Sequence, residues 1–317
     1  MTESFEHDPF RTAPVSPPRT RGWKHLALFV ATIITTTLVG GLHYASYLDQ
    51  FGRTPQTIGW GTLLGGLWYS GGVLAILGAH EMGHYLACRY YGLDATLPYF
   101  LPFLIPYPIF QTGTLGAVIR IRSPFPTRTI LFDVGVAGPI AGFVVMIPVL
   151  FAGLAMSQVL PMPTTGSGVY LGEPLLFQWA TALVLGPERQ GFGLNAHPFV
   201  FAAWFGMLAT ALNLLPFGQL DGGHITYATL GRLSTPISIV TVGSAVIMTF
   251  VSTSWVALTI MMLVMLLALG PRHPRVIYEL EPLGAGRRVV AVVALLILAL
   301  CFTPTPIEPY TLIGSAR

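Results

Sequence analysis

Charge is scarce in this sequence: Asp, Glu, Lys and Arg make up 9% of its 317 residues, where about a quarter is usual in a soluble domain. With 53% hydrophobic residues and a mean hydropathy of +0.68, an ordinary soluble globule is excluded. Cysteine is nearly missing, and both Cys88 and Cys301 lie inside apolar runs, which excludes a disulfide framework. Cys88 is four residues past a histidine, yet it reads as a small buried hydrophobe in preference to a ligand. No basic stretch is interleaved with aromatics, so the net charge of +3 reports loop asymmetry across a membrane, with no nucleic acid as partner. No fixed-period repeat is present. No short apolar core is followed by a small-residue cleavage site, and the first apolar run therefore reads as an anchor.

What is present is a succession of long apolar runs. The composition and these runs predict an all-α polytopic membrane protein embedded in the lipid bilayer, with about six to seven transmembrane helices. Residues 1–24, with Pro9, Pro14, Pro17 and Pro18, read as a disordered cytoplasmic N-terminus. Residues 25–59 hold the first span and a loop, residues 60–230 a membrane core that opens with a second span over about Trp60 to Tyr91, and residues 231–317 the C-terminal membrane segments, among them an apolar hairpin over 236–270 and a last span over about Val289 to Phe302. Arg11, Arg19, Arg21 and Lys24 place the N-terminus in the cytoplasm by the positive-inside rule. The segment from Pro161 to His197 reads as weakly apolar and external, and at under about 40 residues it is too short for a separate recognition domain. His197 and Asp133 read as interfacial.

Three ionisable residues interrupt the second apolar run, at Gly78-Ala79-His80-Glu81-Met82-Gly83-His84. Residues four apart share one face of a helix, so His80 and His84 can offer two imidazoles to one ion while Glu81 stands beside an open position. An unpartnered charge at membrane depth is costly, and three within five residues favour metal coordination. A third ligand must come from elsewhere. In Asn213-Leu214-Leu215-Pro216-Phe217-Gly218-Gln219-Leu220-Asp221-Gly222-Gly223, the carboxylate of Asp221 sits after a helix break and at matching depth. Two roles stand open for it, a metal ligand or an aqueous N-cap.

Between these motifs, residues 95–123 carry Pro98, Pro102, Pro106 and Pro108, which forbid a regular spanning helix. The Val/Ile-rich half, Thr112 to Arg122, predicts a re-entrant or strand-like apolar insertion beside the HExxH helix, whose free edge could take an unwound peptide. An amphipathic interfacial loop is the other reading.

Together the two motifs resemble the site-2 protease family of intramembrane zinc metalloproteases, in the branch without a PDZ domain. The resemblance covers roughly Trp60 to Leu230. It implies Zn2+ held by His80, His84 and Asp221, Glu81 as the base that activates a zinc-bound water, and Asn213 as a residue that holds substrate or steadies the oxyanion. It also implies cleavage of transmembrane protein substrates within the membrane. A metal-ion transporter or channel using the same residues as an ion path, or a non-proteolytic membrane scaffold, are the competing classes. A prokaryotic cytoplasmic membrane, with the site toward the cytoplasmic side, is the expected location, since no transit-type presequence is evident.

Overall fold

Helices form most of the structure, a computed structural model that describes residues 22–54, 57–104, 112–163, 166–269, 276–279 and 282–312. Among the described residues four helices are long and apolar enough to cross a membrane: Gly22–Asp49, Trp60–Tyr90, Arg128–Ala155 and Asp221–Met248. Shorter apolar helices cover Leu175–Leu185, Pro198–Leu214 and Ser254–Val264. The all-α polytopic class therefore stands.

Helix α1 (Gly22–Asp49) leads to a short α2 (Trp60–Gly65) and the longer α3 (Leu67–Tyr90). The expected single second span is thus jointed at Gly66. A Cβ there would lie 2.1 Å from the Thr37 carbonyl oxygen, so the missing side chain is what lets α1 pack against this joint. After α3 the chain forms a hairpin, β1 (Tyr99–Pro102) and β2 (Thr114–Val118), paired antiparallel as Tyr99↔Val118, Phe100↔Ala117 and Pro102↔Thr114. Of the two expectations for this insertion the strand form is the one adopted; Pro106 and Pro108 lie outside the described residues.

Non-helical backbone inside a membrane must be satisfied by protein, and the hairpin is held accordingly. Thr35 Oγ1 of α1 donates to the Gly113 carbonyl at 2.7 Å, Tyr69 Oη of α3 donates to the Thr112 carbonyl at 2.7 Å, and the His25 ring hydrogen-bonds the Pro98 carbonyl at 3.1 Å. Phe100 and Ala117 fill a cluster with Val39, Tyr69, Val73 and Leu77.

Helix α4 (Arg128–Ala155) starts where the Thr127 side chain accepts from the Ile130 N–H, an ordinary N-cap. It contains Pro139 and Pro148, tolerated where neighbouring helices surround it. Beyond it come β3 (Gln158–Pro161), β4 (Gly166–Leu171), α5 (Leu175–Leu185), β5 (Phe192–Asn195) and α6 (Pro198–Leu214). The chain ends its described course with α7 (Asp221–Leu230), a 3-10 turn at Gly231–Leu233, α8 (Ser234–Met248), α9 (Ser254–Leu269), α10 (Ala285–Cys301) and β6 (Ile307–Leu312). The β3 strand pairs with β5, and β4 with β6.

Two boundaries differ from expectation. The stretch predicted to be weakly apolar and external contains α5, whose Phe177 and Ala180 are buried in the main core with Trp204 of α6. Glu173, Glu188 and Arg189 flank that helix and dilute its apolar average, which hid it. The last helix also begins four residues earlier than the predicted Val289, because Arg287 and Arg288 occupy its first turn. The core is built where α3, α4 and α6 meet, from Ile76, Met146, Leu150, Leu154, Val200, Ala203 and Met207. Lipid offers helices no hydrophobic drive to associate, so close packing and interhelical hydrogen bonds carry this junction.

Candidate metal centre

The HExxH residues sit two-thirds of the way along α3, with His80, Glu81 and His84 all buried. Their four-residue spacing puts both imidazoles on the face that meets α4. That contact is possible because α4 presents Gly138 and Gly142 there, while Gly135 faces His224 of α7. A Cβ on Gly138 would lie 2.1 Å from His84 Nε2, and one on Gly142 would lie 3.1 Å from His80 Cβ. From the other side Gly83 is equally tight, a Cβ falling 2.4 Å from the Ala137 carbonyl oxygen.

The third side chain arrives on α7. Helix α6 stops at Leu214, and Leu215 is extended (φ −57°, ψ 132°), as expected before a proline. Gly218 then takes φ +52°, in the left-handed region that favours glycine. Gly222 and Gly223 pack flush against this turn, since Cβ atoms there would lie 2.1 Å from the Leu214 oxygen and 2.3 Å from the Gly218 oxygen. This folded-back connection starts α7 at Asp221. The N-cap is Leu220, and the Asp221 carboxylate does not cap; it points across at the two histidines.

Asp221 Oδ2 lies 3.1 Å from His80 Nε2, Asp221 Oδ1 lies 3.3 Å from His84 Nε2, and the two Nε2 atoms are 3.1 Å apart. Donor atoms about 2.0–2.2 Å from a shared ion at tetrahedral angles are about 3.3–3.6 Å from one another, so the triangle has nearly the dimensions of three ligands around one small cation. The tautomer agrees as well. His84 Nδ1 is 2.8 Å from the Val134 carbonyl, which can only accept, so Nδ1 carries a proton and Nε2 is the nitrogen turned to the cluster. Among the described residues this is the group of three whose donor atoms converge for a metal ion, all within 4.8 Å of one another.

Two further groups border the triangle. Asn213, in the last turn of α6, has Nδ2 3.3 Å from His80 Nε2. The main chain at Ile119, directly after β2, lies beside the Glu81 carboxylate. Cys88 stays out of the cluster, fully buried with Leu93 and Val134. His197 is distant, capping α6 through the Phe199 N–H and packing edge-on to Tyr47 and Trp68.

The sequence reading missed one contributor. Asp133 is not simply interfacial: its two carboxylate oxygens accept from Arg287 Nε at 2.8 Å and Nη2 at 2.7 Å, and it also accepts from Tyr91 Oη. An acidic residue at the entry of one span and an arginine at the start of another were the available signals, but only the docking of α10 pairs them.

A family model described as "Peptidase family M50" matches residues 68–257, from α3 into α9 and therefore across both halves of the cluster. The chain belongs to peptidase family M50. This M50 chain is 33% identical over 246 residues to "Probable zinc metalloprotease EGY2, chloroplastic" of Oryza sativa subsp. indica, a match covering 74% of this chain and 42% of that protein. It is 32% identical over 193 residues to the protein of the same description from Arabidopsis thaliana, covering 58% and 33% of the two chains. It is 34% identical over 169 residues to "Probable zinc metalloprotease EGY1, chloroplastic" of Oryza sativa subsp. japonica, covering 51% and 28%. This M50 chain spans less than half the length of these curated relatives. The resemblance to site-2 proteases drawn from the two motifs is borne out. The relatives' names are chloroplastic, so they lend no support to a prokaryotic membrane.

Proposed function

We propose that this M50 member is an intramembrane zinc metalloprotease that cleaves transmembrane segments of other membrane proteins. The observation that carries the reading is the convergence of His80, His84 and Asp221, from two separate membrane helices, beside Glu81. Two imidazoles and a carboxylate form a donor set suited to zinc, with room for a fourth ligand. Bound there, Zn2+ supplies Lewis acidity and brings a water within reach of deprotonation near neutral pH.

The chain's own residues supply the rest. Glu81 takes up the proton of the attacking water and returns it to the leaving amine, the usual double duty of a carboxylate general base. Asn213, whose Nδ2 is 3.3 Å from His80 Nε2, is the donor that stabilises the oxyanion as charge develops in this reading. A helical substrate must unwind before its peptide bond is accessible. The edge of β2, where Leu115 and Val118 are exposed, offers the extended segment a strand to pair with. Arg89, Arg128 and Arg287 lie in the terminal turns of α3, α4 and α10 on the side of the site, which supports a cytoplasmic-side location by the positive-inside rule.

The full chain reconstituted in liposomes with zinc tests the reading against an ion path. Cleavage of a co-reconstituted transmembrane protein without zinc flux is the expected result; zinc flux without cleavage overturns it.

A further inference from the structure

The seam between α3 and α4 is lined by glycine beside the metal centre. Gly83 on one helix and Gly138 and Gly142 on the other bring the backbones close together there. Such seams allow close approach, but they offer few ridges and grooves to resist sliding of one helix along the other. Two contacts across this seam nevertheless need exact register: the His84 Nδ1 hydrogen bond to Val134 O at 2.8 Å, and the fit of Gly138 against His84 Nε2.

A polar clasp closes the seam at its end. Tyr91, the C-cap of α3, is seven residues beyond His84 and so on the same helix face. While His84 reaches Val134, Tyr91 reaches the neighbouring Asp133. The far side of that carboxylate is held by the fork of Arg287, from the first turn of α10. The fork fixes direction as well as distance, since two parallel N–H bonds lock the planes of guanidinium and carboxylate together. Helix α10 lies beyond residue 257, where the family match ends, so the matched core alone does not account for this clasp.

We propose that Arg287 is a positioning residue for the metal centre: through Asp133 and Tyr91 it sets the α3–α4 register in which His84 is aimed at the ion. The inference rests on the metal-centre reading above. It makes α10 part of the working site although α10 contributes no ligand.

The test uses the purified full-length protein in detergent, with Zn2+ affinity measured by chelator competition and the visible absorption of Co2+ bound in place of zinc. Wild-type protein that binds no Zn2+ stoichiometrically would sink the metal-centre reading itself. Given a wild-type site, Arg287→Gln is expected to weaken Zn2+ binding about 10-fold or more, the usual scale for groups that orient ligands, and to shift the Co2+ bands. A role limited to holding the fold would lower the melting temperature and leave the Co2+ bands where they are. Tyr91→Phe, which removes a single hydroxyl, is expected to move both readouts in the same direction by a smaller amount, and it carries the test if Arg287→Gln does not fold. Wild-type Zn2+ affinity and an unshifted Co2+ spectrum in whichever of these variants folds overturn the proposal.

Discussion

Gly138 lies flush against His84: a Cβ on the glycine would sit 2.1 Å from the histidine's Nε2. The absence of one methyl group on α4 is therefore what allows an imidazole on α3 to face Asp221 on α7. A helix glycine is usually a liability of about 1 kcal/mol relative to alanine, and here the ordinary stabilising exchange is blocked by the site.

Gly138→Ala should accordingly raise intrinsic helix propensity and still lose function. Displacing His84 by about 1 Å is enough to cost roughly 100-fold in activity, and bound zinc should fall with it. Metal analysis of the purified variant alongside a cleavage assay checks this. Full zinc content with normal cleavage would show that the seam relaxes without moving His84.

Asn213 is predicted to act on the reaction rather than on the ion. Asn213→Ala should keep zinc bound and lower kcat by about 100- to 1,000-fold, the range for loss of one oxyanion donor, with KM little changed. Steady-state kinetics at several substrate concentrations separates the two parameters. A rise in KM at constant kcat would assign Asn213 to substrate holding instead.

Besides its apolar packing, the hairpin segment is tied to α3 by a tyrosine hydroxyl. Tyr69→Phe removes the donor that satisfies the half-buried Thr112 carbonyl, and leaving such a group unsatisfied costs up to about 1–3 kcal/mol. Faster hydrogen exchange over Thr114–Val118 is the expected signature, together with a raised KM if β2 receives the substrate. Unchanged exchange and unchanged KM would remove the hairpin from substrate binding.

Much of this arrangement is legible in the residues because its causes are local. The His80–His84 spacing defines a helix face, Pro216 with Gly218 forces the turn that frees Asp221 from continuous helix, and four prolines before a Val/Ile-rich run disfavour a spanning helix over 95–123. What escapes are features that depend on distant pairing. Asp133 needs α10 in place before Arg287 reaches it. The β4 strand finds β6 from more than a hundred residues away. The joint at Gly66 is legible only once α1 lies against it, and α5 is masked by the charges at its ends.

The most direct measurement compares wild-type protein with Glu81→Gln for both zinc content and cleavage of a transmembrane substrate. Glu81 does not belong to the ligand triangle, so the variant should hold as much zinc as the wild type while cleavage drops by at least about 100-fold, the lower end for loss of a general base. Near-normal cleavage by Glu81→Gln would contradict the account.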